Sequence, residues 1–178
     1  MHAVLVERLR ARVRHNILQA DPFAECDSLQ VATAETLDWA EAELGFPLPP
    51  LVRALYAGVG DGGWGPGAGL LPLAGEQGLV DETLWCQRYA RGPAGTRWPA
   101  RLVHVVGWGC LYSSCVDCSD PACPVVFYDG DHAILEGATT DDYLDPEADS
   151  LAGYLEAWLA GADLVASRQA RRGLTGRA

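Results

Sequence analysis

The sequence predicts an α+β fold: a central, mostly antiparallel sheet flanked by N-terminal helices and a C-terminal helix. Three observations carry this. In the first half of the chain, apolar residues recur at helical spacing, punctuated by capping and helix-breaking residues. From residue 101 the period changes to short β-branched and aromatic runs separated by turn residues, the pattern of a meander. An amphipathic stretch then closes the order helices, strands, helix. The chain of 178 residues suits one domain, assigned to residues 1–165 with a helical extension over 1–30, followed by a polar, arginine-containing tail over 166–178. A domain of this size buries roughly two-thirds of its unfolded surface and needs no disulfide or metal to fold.

Taken in order, residues 4–18 read as an amphipathic helix, with Val6, Leu9, Val13 and Ile17 on one side and arginines opposite. Asp21-Pro22 ends it, because the residue before proline is driven out of the α region. Thr33 caps a second helix over Ala34–Leu44, and Gly45 follows as the residue that tolerates positive φ. Pro49 and Pro50 open a third, short helix whose stripe is Val52, Leu55, Tyr56 and Val59. GVGDGGWGPGAG over 58–69 is too glycine-rich to continue a helix and reads as a turn. Leu70–Leu73 is expected as a short strand. Asp81–Arg91 is expected as a helix with Leu84, Trp85 and Tyr89 inward, and 92–99 as a loop. The meander comprises RLVHVVGWGC, LYSSCVD, PVVFYD and HAILEG. Asp149–Ala160 closes the fold with Leu151, Leu155, Trp158 and Leu159 buried, and the tail from Ser167 is expected to fray.

Charge excludes more than it selects. The chain carries a net −11 and no lysine. Eight of its arginines sit in the two terminal segments, and residues 20–164 hold five arginines against 23 carboxylates, a net of −18. Such a field repels nucleic acid and speeds encounter with a basic partner. No apolar run approaches the ~20 residues of a membrane span. The N-terminal apolar positions are interrupted by Arg8, Arg10, Arg12 and Arg14, unlike a signal peptide, so a cytoplasmic location is expected.

Several motifs invite chemistry. Gly58-x-Gly60-x-x-Gly63 matches the dinucleotide-binding pattern, but that pattern needs a strand before it and a helix after it. Here a helix precedes it and Trp64-Gly65-Pro66 blocks the next, so the glycines read as a turn. A phosphate-binding P-loop would need a lysine that the chain lacks. Cys110, Cys115, Cys118 and Cys123 form C-x4-C-x2-C-x4-C, a set that could hold structural zinc on four thiolates or consist of small buried thiols in the meander. Cys26 and Cys86 read as packing residues. Cys110 or Cys115 with His104 or His132 is the only dyad that nucleophilic catalysis could use, and no local signature supports it. No catalytic residue is therefore assigned. Asp117, Asp129 and Asp131 lie at strand ends, where turn aspartates also serve a purely structural role. Trp64 is either a lid over the core or an exposed anchor for a partner.

Glu43-Leu44-Gly45, Leu48-Pro49, Leu55-Tyr56, Gly62-Gly63 and Leu71-Pro72-Leu73 resemble the signature of the SUKH superfamily (Smi/Knr-type domains), over roughly residues 30–160. Trp108-Gly109-Cys110, the strand ending in Asp117, the Pro124–Tyr128 strand and Trp158 fit the same plan. The resemblance implies an α+β domain whose shared activity is protein binding, and it carries over no catalytic residues. Its bacterial members are largely immunity proteins against polymorphic toxins, many of them nucleases or deaminases. The expectation is thus an immunity protein that caps a basic toxin with an acidic surface. A non-toxin regulatory or scaffold module of the same fold, and a small zinc-binding protein, are the alternatives. The candidate partner-contacting residues are Asp61, Trp64, Asp117, Asp129 and Asp131.

Overall fold

The computed structural model describes residues 2–20, 29–89, 97–133 and 140–174. Helix α1 (His2–Ala20) buries Val6, Leu9 and Val13 of the stripe its spacing predicts, together with Leu5, and the side chain of Ile17 lies outside the described residues. The expected break at Asp21-Pro22 and the position of Cys26 lie outside the described residues. Thr33 caps α2 (Ala34–Leu44), its hydroxyl accepting from the Thr36 amide at 3.1 Å. Gly45 ends α2 in the left-handed region at φ 79°. Helix α3 (Pro50–Gly58) has proline in its first turn and buries Leu51, Val52, Leu55 and Tyr56.

The glycine-rich turn carries the chain from α3 into the sheet. Gly62 has φ 81°, and a Cβ there would stand 2.5 Å from the Pro72 nitrogen, so no other residue fits. Strand β1 is Gly69–Leu70, shorter than expected. Pro72 has no N–H to donate, and the Leu73 amide donates instead to Asp61 Oδ1 at 2.8 Å.

Helix α4 (Leu79–Tyr89) corrects the sequence reading. Its buried face is Leu79, Val80, Thr83 and Cys86, whereas Trp85 and Tyr89 are 50% and 59% exposed. Both sets recur at helical spacing, and periodicity alone does not choose between two apolar stripes on one helix.

Strands β2 (Leu102–Gly109), β3 (Tyr112–Asp117), β4 (Val125–Asp129) and β5 (Leu144–Ala148) continue the sheet in the order β1-β2-β3-β4-β5. Every pairing is antiparallel. The expected HAILEG strand is replaced: Gly130–Ala133 forms the short helix α5, and residues 134–139 lie outside the described residues. After α6 (Thr140–Tyr143), the fifth strand is instead LDPEA. Pro146 is tolerated there because β5 is an edge strand.

Alternation along the strands gives the sheet two buried faces. Val103, Val116 and Val125 join the large core built with α1, α2, α3 and α7. Leu102, Cys115 and Tyr128 face a second core with Cys86, Trp98 and Tyr143. Helix α7 (Leu151–Leu159), capped by Ser150, buries Leu151, Tyr154 and Leu155. Trp158 and Leu159, expected inward, are only partly buried. Beyond Gly161, at φ 78°, the chain forms α8 (Leu164–Leu174), where the sequence suggests fraying from Ser167. Among the described residues, no helix is long and apolar enough to cross a membrane.

Candidate functional site

On the face of the sheet that carries the large core, the strands present a second, polar and aromatic region. It consists of Trp108 on β2, Tyr112 and Ser114 on β3, Phe127 and Asp129 on β4, and Glu147 on β5. The residues within each of β3 and β4 are two apart, so pleating aims them the same way. Helix α8 lies over this region. Between them is a cleft of about 320 Å³ lined by Trp108, Tyr112, Phe127, Asp129, Arg168 and Gln169. Tyr112 and Phe127 stack at its wall with ring centroids 5.9 Å apart. The Tyr112 hydroxyl donates to Asp131 at the rim, and this bond pushes the phenol up to about 12.

Beneath the cleft runs a hydrogen-bonded network. The Trp108 indole donates to Ser114 Oγ at 2.7 Å, and Ser114 Oγ donates to Glu147 Oε2 at 2.5 Å. The Tyr154 hydroxyl lies 3.2 Å from the same Ser114 oxygen. Arg168 Nη1 donates to Glu147 Oε1 at 3.2 Å. The guanidinium stands 3.6 Å from the Phe127 ring centre and 5.3 Å from that of Trp108. Burial pushes the Glu147 carboxyl above its ordinary value, while Ser114 and Arg168 pull it back by favouring the charged form.

Of the five residues expected to contact a partner, the structure brings two to this cleft. Asp129 lines it, mostly buried, and accepts from the His132 ring at 2.8 Å. Asp131 is exposed at the rim. The other three lie elsewhere. Asp61 pins the Leu73 amide, and Asp117 accepts from the amide and hydroxyl of Ser119. Trp64 is 4% exposed and donates to the Gly60 carbonyl at 2.9 Å, so it covers the core and presents no anchor.

The four clustered cysteines are not brought together. Cys115 packs in the second core, Cys118 and Cys123 pack against the first, and Cys110 is exposed in the β2–β3 turn. Among the described residues, no three histidine, cysteine or acidic side chains are placed to hold a metal ion. Burial pushes the Cys118 thiol up to about 12 and raises Cys115 and Cys123 as well. Among the described residues, the nearest approach to a dyad is His104 Nδ1 with Ser113 Oγ at 2.7 Å and Ser113 Oγ with Cys115 Sγ at 3.7 Å. It is fully buried. Desolvation lowers His104 to about 3 and holds Cys115 as a thiol, the reverse of an activated nucleophile.

The Arg168–Glu147–Ser114–Trp108 network was not visible in the sequence reading. Its one local signal is the spacing of Leu164, Arg168 and Arg171, which marks an inward face running from the end of the domain into the arginine-containing tail. A family model described as SMI1 / KNR4 family (SUKH-1) matches residues 31–157. That span runs from just before α2 to within α7 and includes every strand, while α1 and α8 lie outside it. A search of curated proteins found no match.

Proposed function

This chain belongs to the SMI1 / KNR4 family (SUKH-1), and from that premise we propose that it is a cytoplasmic, protein-binding immunity protein that neutralises a cognate toxin. The observation that carries this reading is the cleft itself. It joins aromatic walls, Trp108, Tyr112 and Phe127, to carboxylates, Asp129 and Asp131, on a chain body of net −18. Aromatic rings with flanking charge are what a protein interface uses for anchoring and orientation. The acidic field suits a basic toxin, such as one acting on nucleic acid, and disfavours nucleic acid itself. Binding is favoured over nucleophilic chemistry because the His104–Ser113–Cys115 set is buried in the second core, out of reach of a substrate.

The experiment is a pull-down with the product of the neighbouring gene, followed by growth rescue when that product is expressed. Binding and rescue are expected, with both reduced in the Asp131→Asn variant. A toxic neighbour that is neither bound nor neutralised would end the reading.

A further inference from the structure

The contact between Arg168 and Glu147 has the construction of a receptor. Exposed ion pairs contribute little and need no walls. Here the Glu147 side chain is 1% exposed and that of Arg168 13%. The guanidinium lies 3.6 Å from the Phe127 ring centre and 5.3 Å from that of Trp108, while its edge donates to the carboxylate. Ring faces for a planar cation together with a carboxylate for one of its N–H groups suit guanidinium better than ammonium, a compact, strongly hydrated point charge. The carboxylate is also set in advance. Its other oxygen is held by Ser114, which Trp108 fixes in turn.

Receptor and occupant come from different parts of the chain. Trp108, Ser114, Phe127, Glu147 and Tyr154 all lie within the family match of 31–157, and Arg168 lies beyond it. Among the described side chains of α8, few are buried. Leu164 is buried, Arg168 and Arg171 reach back to Glu147 and Asp149, and Val165, Ala166, Ser167, Gln169 and Ala170 are exposed. A hollow of about 320 Å³ bordered by Tyr154, Leu164 and Arg171 lies between α7 and α8, and Gly161 joins the two helices at φ 78°. A terminal helix whose described side chains dock through Leu164 and two ion pairs opens at less cost than global unfolding.

We infer that Glu147, Trp108 and Phe127 form a binding pocket for an arginine side chain of a protein partner, which Arg168 of α8 occupies in cis until a partner arginine replaces it. The naming of a protein partner rests on the immunity reading; the pocket does not. Exchange of one arginine for another keeps the buried carboxylate paired, so the partner gains a specific anchor without leaving an uncompensated charge.

The test is to empty the pocket and refill it. In full-length Arg168→Ala, millimolar methylguanidinium should raise the thermal midpoint saturably and shift the Trp108 indole N–H resonance. Wild type should show no saturable response, and adding Glu147→Gln to Arg168→Ala should weaken the response about tenfold or more. No saturable response in Arg168→Ala, or an equal one to methylammonium or urea, overturns the pocket. Should Arg168→Ala not fold, Arg168→Lys carries the same titration, and an unshifted Trp108 resonance there overturns it equally. With the neighbouring gene product, Glu147→Gln should weaken binding, and unchanged affinity overturns the partner half. The titration needs no toxin, so its failure leaves neutralisation standing, and a failed pull-down leaves the pocket standing.

Discussion

His104 shows how position decides the chemistry of a residue. It sits on β2 facing the second core, stacked on Trp98 at 4.8 Å with Nδ1 held by Ser113. Burial lowers its basicity from 6.5 to about 3. The folded protein therefore binds fewer protons than the unfolded chain between those values, and stability falls as pH drops through that window. One proton of difference corresponds to about 1.4 kcal/mol per pH unit at most. His104→Phe keeps the stack, and denaturant midpoints measured from about pH 3 to 6.5 should be flatter with pH than those of wild type. Trp64 is a second case. As a buried lid donating to Gly60, its truncation to alanine should cost roughly 3–5 kcal/mol, readable from the same midpoints. An exposed anchor would show almost no loss.

Elements in this chain are set by their ends and by what they pack against. Thr33 and Gly45 delimit α2, and Thr33→Ala should cost about 1 kcal/mol by removing the cap. Gly62 turns α3 toward β1 with φ 81° and backbone 2.5 Å from any added Cβ. Gly62→Ala should therefore cost more than the cap, roughly 2–4 kcal/mol, and chemical denaturation of the two variants side by side would check the order. Helix α4 and strand β5 show where local signals stop. Two apolar stripes share α4, and only the second core selects Cys86 over Trp85. The LDPEA strand carries a proline and alternates acidic residues, so its pairing with β4 depends on the sheet edge already being there.

The whole molecule adds charge and topology to the site. A body of net −18 should accelerate association with a basic partner, so the on-rate should fall severalfold from low to physiological ionic strength while dissociation changes less. Stopped-flow association measured across salt would reveal this, and a salt-independent on-rate would remove charge complementarity from the mechanism. The α+β class, the early helices and the first strands of the meander were legible in the sequence because caps, prolines, glycines and residue periods act over a few neighbours. The family signature over Glu43–Leu73 was legible for the same reason, since it encodes a helix, a turn and a strand entry that are contiguous in the chain. Asp129 and Asp131 could be singled out as strand-end carboxylates, but not assigned to one cleft. That cleft joins Trp108, Tyr112, Phe127 and Arg168, which come from three strands and a helix up to sixty residues apart. The four clustered cysteines, by contrast, are close in sequence and still part: Cys115 packs in one core while Cys118 and Cys123 pack in the other. By itself the sequence determined the α+β class, the early helices with their caps, and the first three long strands, because those preferences are short-ranged. Tertiary structure alone decided which side chains meet across the sheet, because register and helix docking bring together residues that share no local signal.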